Sequence, residues 1–170
     1  MSDTIRRNIL LNPGPATTTD SVKYAQVVPD ICPREKEFAS IMTPLRSDLV
    51  RVVHGDTDEY TTVLFCGSGT ICMDVVLNSL LDNDKCALVI NNGSYSQRAC
   101  DVLDAYGMPY IELRQPVDAL PDLDVIEEAL RNNPDVGYVY MTFHETGSGL
   151  LNPAREVGAL AHSYNTLFIT

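Results

Sequence analysis

Residues 86–90 read Cys-Ala-Leu-Val-Ile, and this stretch decides the fold. Five apolar residues follow one another without the polar alternation of a strand wetted on one side. A continuous run of that length suits a parallel strand covered on both faces. Working outward, residues 95–106 have a helical pattern that Gly107 ends in the left-handed way glycine favours. Residues 109–113 predict a short strand. Residues 122–131 predict an amphipathic helix with Leu123, Ile126 and Leu130 inward, acids in its first turn, Arg131 at its end and Pro134 beyond. Residues 136–141 predict a strand. Asn152 is read as the cap of a helix with Pro153 at its first position, running to about Tyr164, and residues 166–169 open another strand. Upstream, residues 71–81 predict a helix apolar nearly all round, hence well buried. Residues 61–66, Thr-Thr-Val-Leu-Phe-Cys, predict a strand by their β-branched and aromatic content. Strands alternating with crossover-length helices make a three-layer, doubly wound α/β domain with a mostly parallel sheet.

The N-terminal third is less regular. Residues 1–18 read as an extended arm, because Pro13-Gly14-Pro15 forbids regular structure. A short helix is expected from Ser21 to Val27. A second, Arg34 to about Val53, carries Phe38, Ile41, Met42, Leu45, Leu49 and Val52 at helical spacing. Pro44 should kink or split it. Residues 19–170 then form one domain after the arm.

Composition narrows the classes of function. The chain has 170 residues, 12 Lys+Arg and 23 Asp+Glu, for a net charge of -11. That acidity argues against nucleic acid or an anionic membrane as the main partner. No apolar run approaches the roughly 20 residues needed to cross a bilayer, and Pro13 interrupts the short apolar stretch near the N-terminus, so a signal peptide is not expected. The expected compartment is the cytoplasm. Cys32, Cys66, Cys72, Cys86 and Cys100 include no C-x-x-C pair, and the expectation is reduced, buried thiols. His54, His144 and His162 show no metal-ligand spacing, so no metal site is expected.

Four segments have the composition of ligand loops. Gly67-Ser68-Gly69-Thr70 lies between a predicted strand and a helix. Free N–H groups, a helix dipole and two hydroxyls there make an anion site. The segment matches neither the Walker A loop nor the dinucleotide fingerprint, whose third glycine position here holds Cys72. The alternative is an ordinary strand-to-helix turn with a Ser/Thr cap. Asn91-Asn92-Gly93-Ser94-Tyr95-Ser96-Gln97-Arg98 follows the buried strand. Tyr95 is either a platform for a flat ring or simply a half-buried tyrosine beside a polar cap. Residues 142–153, Thr-Phe-His-Glu-Thr-Gly-Ser-Gly-Leu-Leu-Asn-Pro, follow a third strand and combine acid, hydroxyls and glycines. They lack the H-E-x-x-H spacing of a zinc protease. Asn12-Pro13-Gly14-Pro15 is either a stiff linker or an arm that crosses to a site.

Taken in order, LLNPGP, GSGT, NNGSYSQR and ETGSGLLNP resemble the class V group of fold type I, pyridoxal-phosphate (PLP) dependent aminotransferases. The likeness is strongest to the 2-aminoethylphosphonate–pyruvate branch, with the alanine–glyoxylate and serine–glyoxylate aminotransferases nearby. It runs from about Leu10 to Thr170 and corresponds to the first part of the family's usual length.

The resemblance implies PLP as cofactor, a small amine and a 2-oxo acid such as pyruvate as substrates, and a homodimeric parent. It implies that Ser68, Gly69 and Thr70 hold the cofactor phosphate, that Tyr95 stacks on the pyridine ring and that Thr146 contacts the ring oxygen. Pro13, Gly14 and Pro15 would line the substrate side. Phe143 stands where the family often has His. The family's aspartate for the pyridinium nitrogen and its Schiff-base lysine fall beyond Thr170. Lys23, Lys36 and Lys85 match no motif, so no catalytic residue is assigned. The expectation is an incomplete PLP-transferase large domain, silent by itself, from an active aminotransferase. Another class V activity, a non-catalytic acidic binding module, or a site for another phosphorylated ligand are the alternatives.

Overall fold

The computed structural model describes residues 5–12 and 14–170. They fall into two compact units, 1–66 and 67–170.

In the first unit, α1 spans Asp20–Tyr24 and α2 spans Lys36–Val52. Pro44 lies inside α2 without splitting it. Of the apolar stripe expected to face inward, Ile41, Leu45 and Val52 are exposed, and Val50 alone among the unit's described residues is buried. Residues 61–66 are not a strand, contrary to the reading above. β-branched and aromatic residues favour an extended backbone, but a strand exists only when its N–H and C=O groups find a neighbouring ladder. Among the described residues this stretch has none; Arg46 instead donates through Nε to the Thr62 carbonyl at 2.8 Å and through Nη2 to Thr61 Oγ1 at 3.0 Å.

The second unit contains α3 (Gly69–Ser79), β1 (Cys86–Asn91), α4 (Ser94–Tyr106), β2 (Tyr110–Arg114), α5 (Leu123–Asn132), β3 (Val136–Met141), β4 (His144–Glu145), β5 (Leu150–Leu151), α6 (Ala154–Ser163) and β6 (Leu167–Ile169). Four strands form one parallel sheet in the order β2-β1-β3-β6. β1 lies inside it, with Leu88 opposite Ile111 on one side and Val139 on the other. Every residue of β1 is buried.

The pleat divides the core in two. Leu88, Ile90, Val139 and Met141 face α5 and α6, where Ile126, Leu130, Val157 and Ala161 cover them. Ala87, Val89, Tyr138 and Tyr140 face Leu77 of α3 and Ala99, Cys100 and Leu103 of α4. These are the three layers expected of an α/β domain. Gly107, at φ 65°, ends α4 in the left-handed conformation, which glycine adopts without a Cβ clash. Asp122 caps α5, its carboxylate accepting from the N–H groups of Asp124 and Val125.

Several local expectations fail for identifiable reasons. α3 begins at Gly69, two residues earlier than expected, and buries only Leu77 fully. Cys72 on the same helix is exposed, as are Cys32 and Cys66; Cys86 and Cys100 are the buried thiols. Asn152 does not cap α6. Pro153 occupies that position, and the Asn152 side chain turns inward to Asn92, donating from Nδ2 to the Asn92 Oδ1 at 3.2 Å and accepting at Oδ1 from Asn92 Nδ2 at 2.8 Å. A buried amide pair satisfies both side chains at once, which outweighs a single cap. Finally, residues 144–151 fold into a short antiparallel hairpin, with Glu145 opposite Leu150, where a plain loop was expected.

Candidate functional site

Parallel strands deliver their C-terminal ends to one edge of the sheet, where open α/β domains bind ligands. β1 runs there into Asn92 and the start of α4, β3 runs into the hairpin, and α3 begins with the Ser68–Thr70 turn.

Ser68 is extended, at φ -80° and ψ 170°, and its hydroxyl makes no cap bond to the helix. The Ile71 N–H bonds back to the Ser68 carbonyl at 3.0 Å, while the Gly69 and Thr70 N–H groups have no partner among the described residues. A Cβ built on Gly69 would meet nothing within 4 Å. A cavity of ≈ 260 Å³ lies beside this turn, with Gly69, Cys72, Tyr140 and Ile169 among its walls. The donor set is two free amides and two hydroxyls at the positive end of a helix dipole, with open space in front. That set fits a phosphate.

Arg98 supplies the charge. Its Nη1 donates to Thr70 Oγ1 at 3.0 Å, and its guanidinium lies 5.7 Å from the centroid of the Tyr95 ring. Because Thr70 Oγ1 accepts from Arg98, its own O–H is left to point elsewhere. Arg98 therefore joins two of the residues picked out in the sequence, Thr70 and Tyr95, and itself was quoted there without a role. Its signal was faint: helical spacing puts residue 98 one turn from Tyr95, but nothing local shows that it reaches α3.

Tyr95 is 41% exposed, so its ring can be covered by a ligand. Its backbone N–H donates to both oxygens of Glu145, at 3.2 Å and 3.4 Å. Ser94 Oγ donates to the same carboxylate at 3.2 Å and the Gly147 N–H at 3.5 Å. Glu145 is fully buried. Gly93 is glycine because of it. Its backbone is extended, which any residue adopts, but a Cβ there would sit 2.2 Å from the Glu145 carboxyl carbon. Thr146, partly buried, follows Glu145 directly. Thr70 and Tyr95 are thus joined through Arg98, and Tyr95 is joined through Glu145 to the hairpin on which Thr146 follows.

Below the network, Asn91 donates to Glu112 Oε1 at 2.6 Å and to Gln97 Oε1 at 2.9 Å, and Asn152 Nδ2 donates to the Thr142 carbonyl at 2.6 Å. Burial pushes up the phenol of Tyr138, to about 12, and that of Tyr140. Tyr138 donates to the Leu77 carbonyl at 3.0 Å, which holds α3 on the sheet.

The remaining expectations fall elsewhere. Gly14 and Pro15 belong to the first unit and are exposed; Pro13 lies outside the described residues. Lys23 and Lys36 are also in the first unit, and Lys85 precedes β1 at the edge of the sheet opposite the network. No helix among the described residues is long and apolar enough to cross a membrane.

The family model described as Aminotransferase class-V matches residues 19–170. The chain belongs to the class-V aminotransferases. Among relatives in this family, a bifunctional phosphonoacetaldehyde hydrolase/aminoethylphosphonate transaminase of Clostridioides difficile is 37% identical over 99% of this chain and 27% of its own length. A 2-aminoethylphosphonate–pyruvate transaminase of Lysinibacillus sphaericus is 30% identical over 94% of this chain and 43% of its own. The chain therefore spans less than half the length of these class-V relatives. Among solved structures, alanine–glyoxylate aminotransferase from Nostoc sp. superposes with a TM-score of 0.84 at 23% identity, over 99% of this chain and 44% of that one. Pyridoxamine–pyruvate aminotransferase from Mesorhizobium loti superposes with a TM-score of 0.86 at 18% identity, over 97% and 41%. These likenesses carry the fold: the second unit is a mostly parallel α/β sheet of the PLP-aminotransferase kind.

Proposed function

We propose that this chain is the N-terminal part of a PLP-dependent aminotransferase that moves the amino group of 2-aminoethylphosphonate, or a similar small amine, to pyruvate. The observation that carries the reading is the network at the sheet edge: an open helix N-terminus with unpartnered amides, joined through Arg98 to an accessible aromatic ring. The names of the relatives give the reading its substrates. PLP, when bound, supplies an aldehyde that takes up the amine and a ring that accepts electrons.

The chain's own residues would do the holding. The Gly69 and Thr70 amides with the Ser68 and Thr70 hydroxyls would grip the phosphate, and Arg98 would balance its charge. Tyr95 would lie against the pyridine ring, and Thr146 would donate to the ring oxygen. Pro13, Gly14 and Pro15 would line the substrate side. The parent would act as a homodimer in the cytoplasm. The second unit's lysine, Lys85, lies at the opposite edge of the sheet, and we read the 170-residue chain as a binder without turnover.

Two measurements test this. Titration with PLP, followed by borohydride reduction and mass spectrometry, should show saturable binding without stoichiometric labelling of Lys23, Lys36 or Lys85. Labelling of one of them in full would overturn the residue assignment. The intact gene product should form alanine from pyruvate and 2-aminoethylphosphonate faster than it uses glyoxylate; a preference for glyoxylate would overturn the substrate assignment.

A further inference from the structure

The geometry points to Glu145 as a positioning residue that fixes the distance between the ring-stacking Tyr95 and the ring-oxygen contact Thr146. This inference rests on the cofactor reading above and assigns the site a part that neither the motifs nor the relatives' names provide.

Three observations carry it. First, Glu145 is fully buried yet ionisable. Such a group is tolerated only when its lone pairs are satisfied. Here the donors are the Tyr95 N–H, the Ser94 hydroxyl and the Gly147 N–H, about fifty residues away in sequence on one side and two residues away on the other. One carboxylate therefore holds the first turn of α4 and the tip of the hairpin together. Second, the hairpin is organised around the same residue: the Glu145 carbonyl accepts from the Gly149 N–H at 2.8 Å, and Glu145 pairs with Leu150 across the ladder. Thr146 leaves directly from this point. Third, the neighbouring chain is shaped to admit the carboxylate. A Cβ on Gly93 would meet three Glu145 atoms at 2.2, 2.3 and 2.5 Å.

A negative charge at the start of α4 also meets the positive end of its dipole. Helix capping alone, however, is usually done by a local side chain. The structure takes its cap from a different strand, and that choice couples the two loops. Displacing the carboxylate would release Tyr95 and Thr146 from each other while the Ser68–Thr70 turn on α3 keeps its own contacts.

The test uses the 170-residue chain and three probes that form no bond with lysine. These are 4-deoxypyridoxine 5′-phosphate, 4-deoxypyridoxine, and inorganic phosphate. Glu145→Gln keeps the shape but turns an amide N–H₂ toward the donors. Gly93→Ala leaves the acid intact and pushes it aside. Both variants should weaken the two ring compounds by about tenfold and leave inorganic phosphate within about twofold. The double variant should be no weaker than either single one, since both break one contact. Amide exchange at Tyr95 should accelerate in both. Asp122→Ala, a destabilising change elsewhere, should leave all three affinities alone.

Unchanged ring affinity in a folded Glu145→Gln or Gly93→Ala chain would overturn the proposal and leave the cofactor reading standing. Equal losses for phosphate and ring compounds would also overturn it, since they indicate general loosening. If the unaltered chain binds none of the three probes, the cofactor reading fails and this inference fails with it.

Discussion

Cys100 sits at 1% exposure under the sheet, and burial, reinforced by Glu112, Asp101 and Asp104, raises its thiol from 9.0 to about 11. The folded chain therefore holds this proton over a range where the unfolded chain has released it. Stability from this group is complete below pH 9.0 and is lost as pH climbs toward about 11, because folding then requires a proton to be taken up. Urea midpoints should fall across that window, and the fall should be shallower in Cys100→Ala. Exposure divides the thiols by reactivity as well: Cys32, Cys66 and Cys72 should react with an alkylating reagent in the folded chain, and Cys86 and Cys100 only on unfolding. Rapid alkylation of Cys100 in the native chain would contradict the packing described. Two residues before Cys100 on α4, Arg98→Met should weaken 4-deoxypyridoxine 5′-phosphate by about tenfold and 4-deoxypyridoxine hardly at all. Equal losses for both would mean that Arg98 supports Tyr95 rather than the phosphate.

At the scale of the element, Asp122 offers a clean test of local chemistry. Its carboxylate accepts from Asp124 N at 2.9 Å and Val125 N at 3.4 Å. Asp122→Ala should lower stability by about 1 kcal/mol, read as a shift in the denaturation midpoint with no change in slope. The sequence reading takes Asp122 as the first residue of the helix, whereas the structure makes it the cap, one position outside. β1 was legible because five apolar residues in a row have few other places to go. Residues 61–66 were misread because a strand depends on a partner that composition does not name. Asn152 was misread because its competing bond is to Asn92, 60 positions away. Site residues followed the same rule. Of the proposed site, Ser68, Gly69, Thr70, Tyr95 and Thr146 lie in segments whose composition draws notice, whereas Arg98 and Glu145 make contacts 28 and 50 residues distant. Gly93 gives no hint in the sequence, because what stands against it, Glu145, is 52 residues away.

For the second unit as a whole, the two edges of the sheet differ. β2, at one edge, carries Glu112 and Arg114, paired at 2.8 Å. Charged side chains of that kind discourage pairing with another chain. β6, at the other edge, reads Leu-Phe-Ile, and among the described residues no strand pairs with its outer side. Leu167 there is 55% exposed, and Ile169 of the same strand lines the ≈ 260 Å³ cavity together with Met73 and Val76. An open ladder next to apolar surface favours association. The net charge of -11 opposes it weakly, because at physiological salt exposed charges more than about 8 Å apart are screened. The 170-residue chain should therefore self-associate, with a weight-average mass that rises with concentration in sedimentation equilibrium. Leu167→Lys should shift it toward monomer, since a lysine on an edge strand must give up hydration to pair. A change on the β2 edge, Arg114→Lys at an exposed position, should not, because that edge is already charged. A monodisperse monomer over the whole concentration range would show that the outer side of β6 is not available for pairing, and equal effects of the two substitutions would show that association does not run through β6.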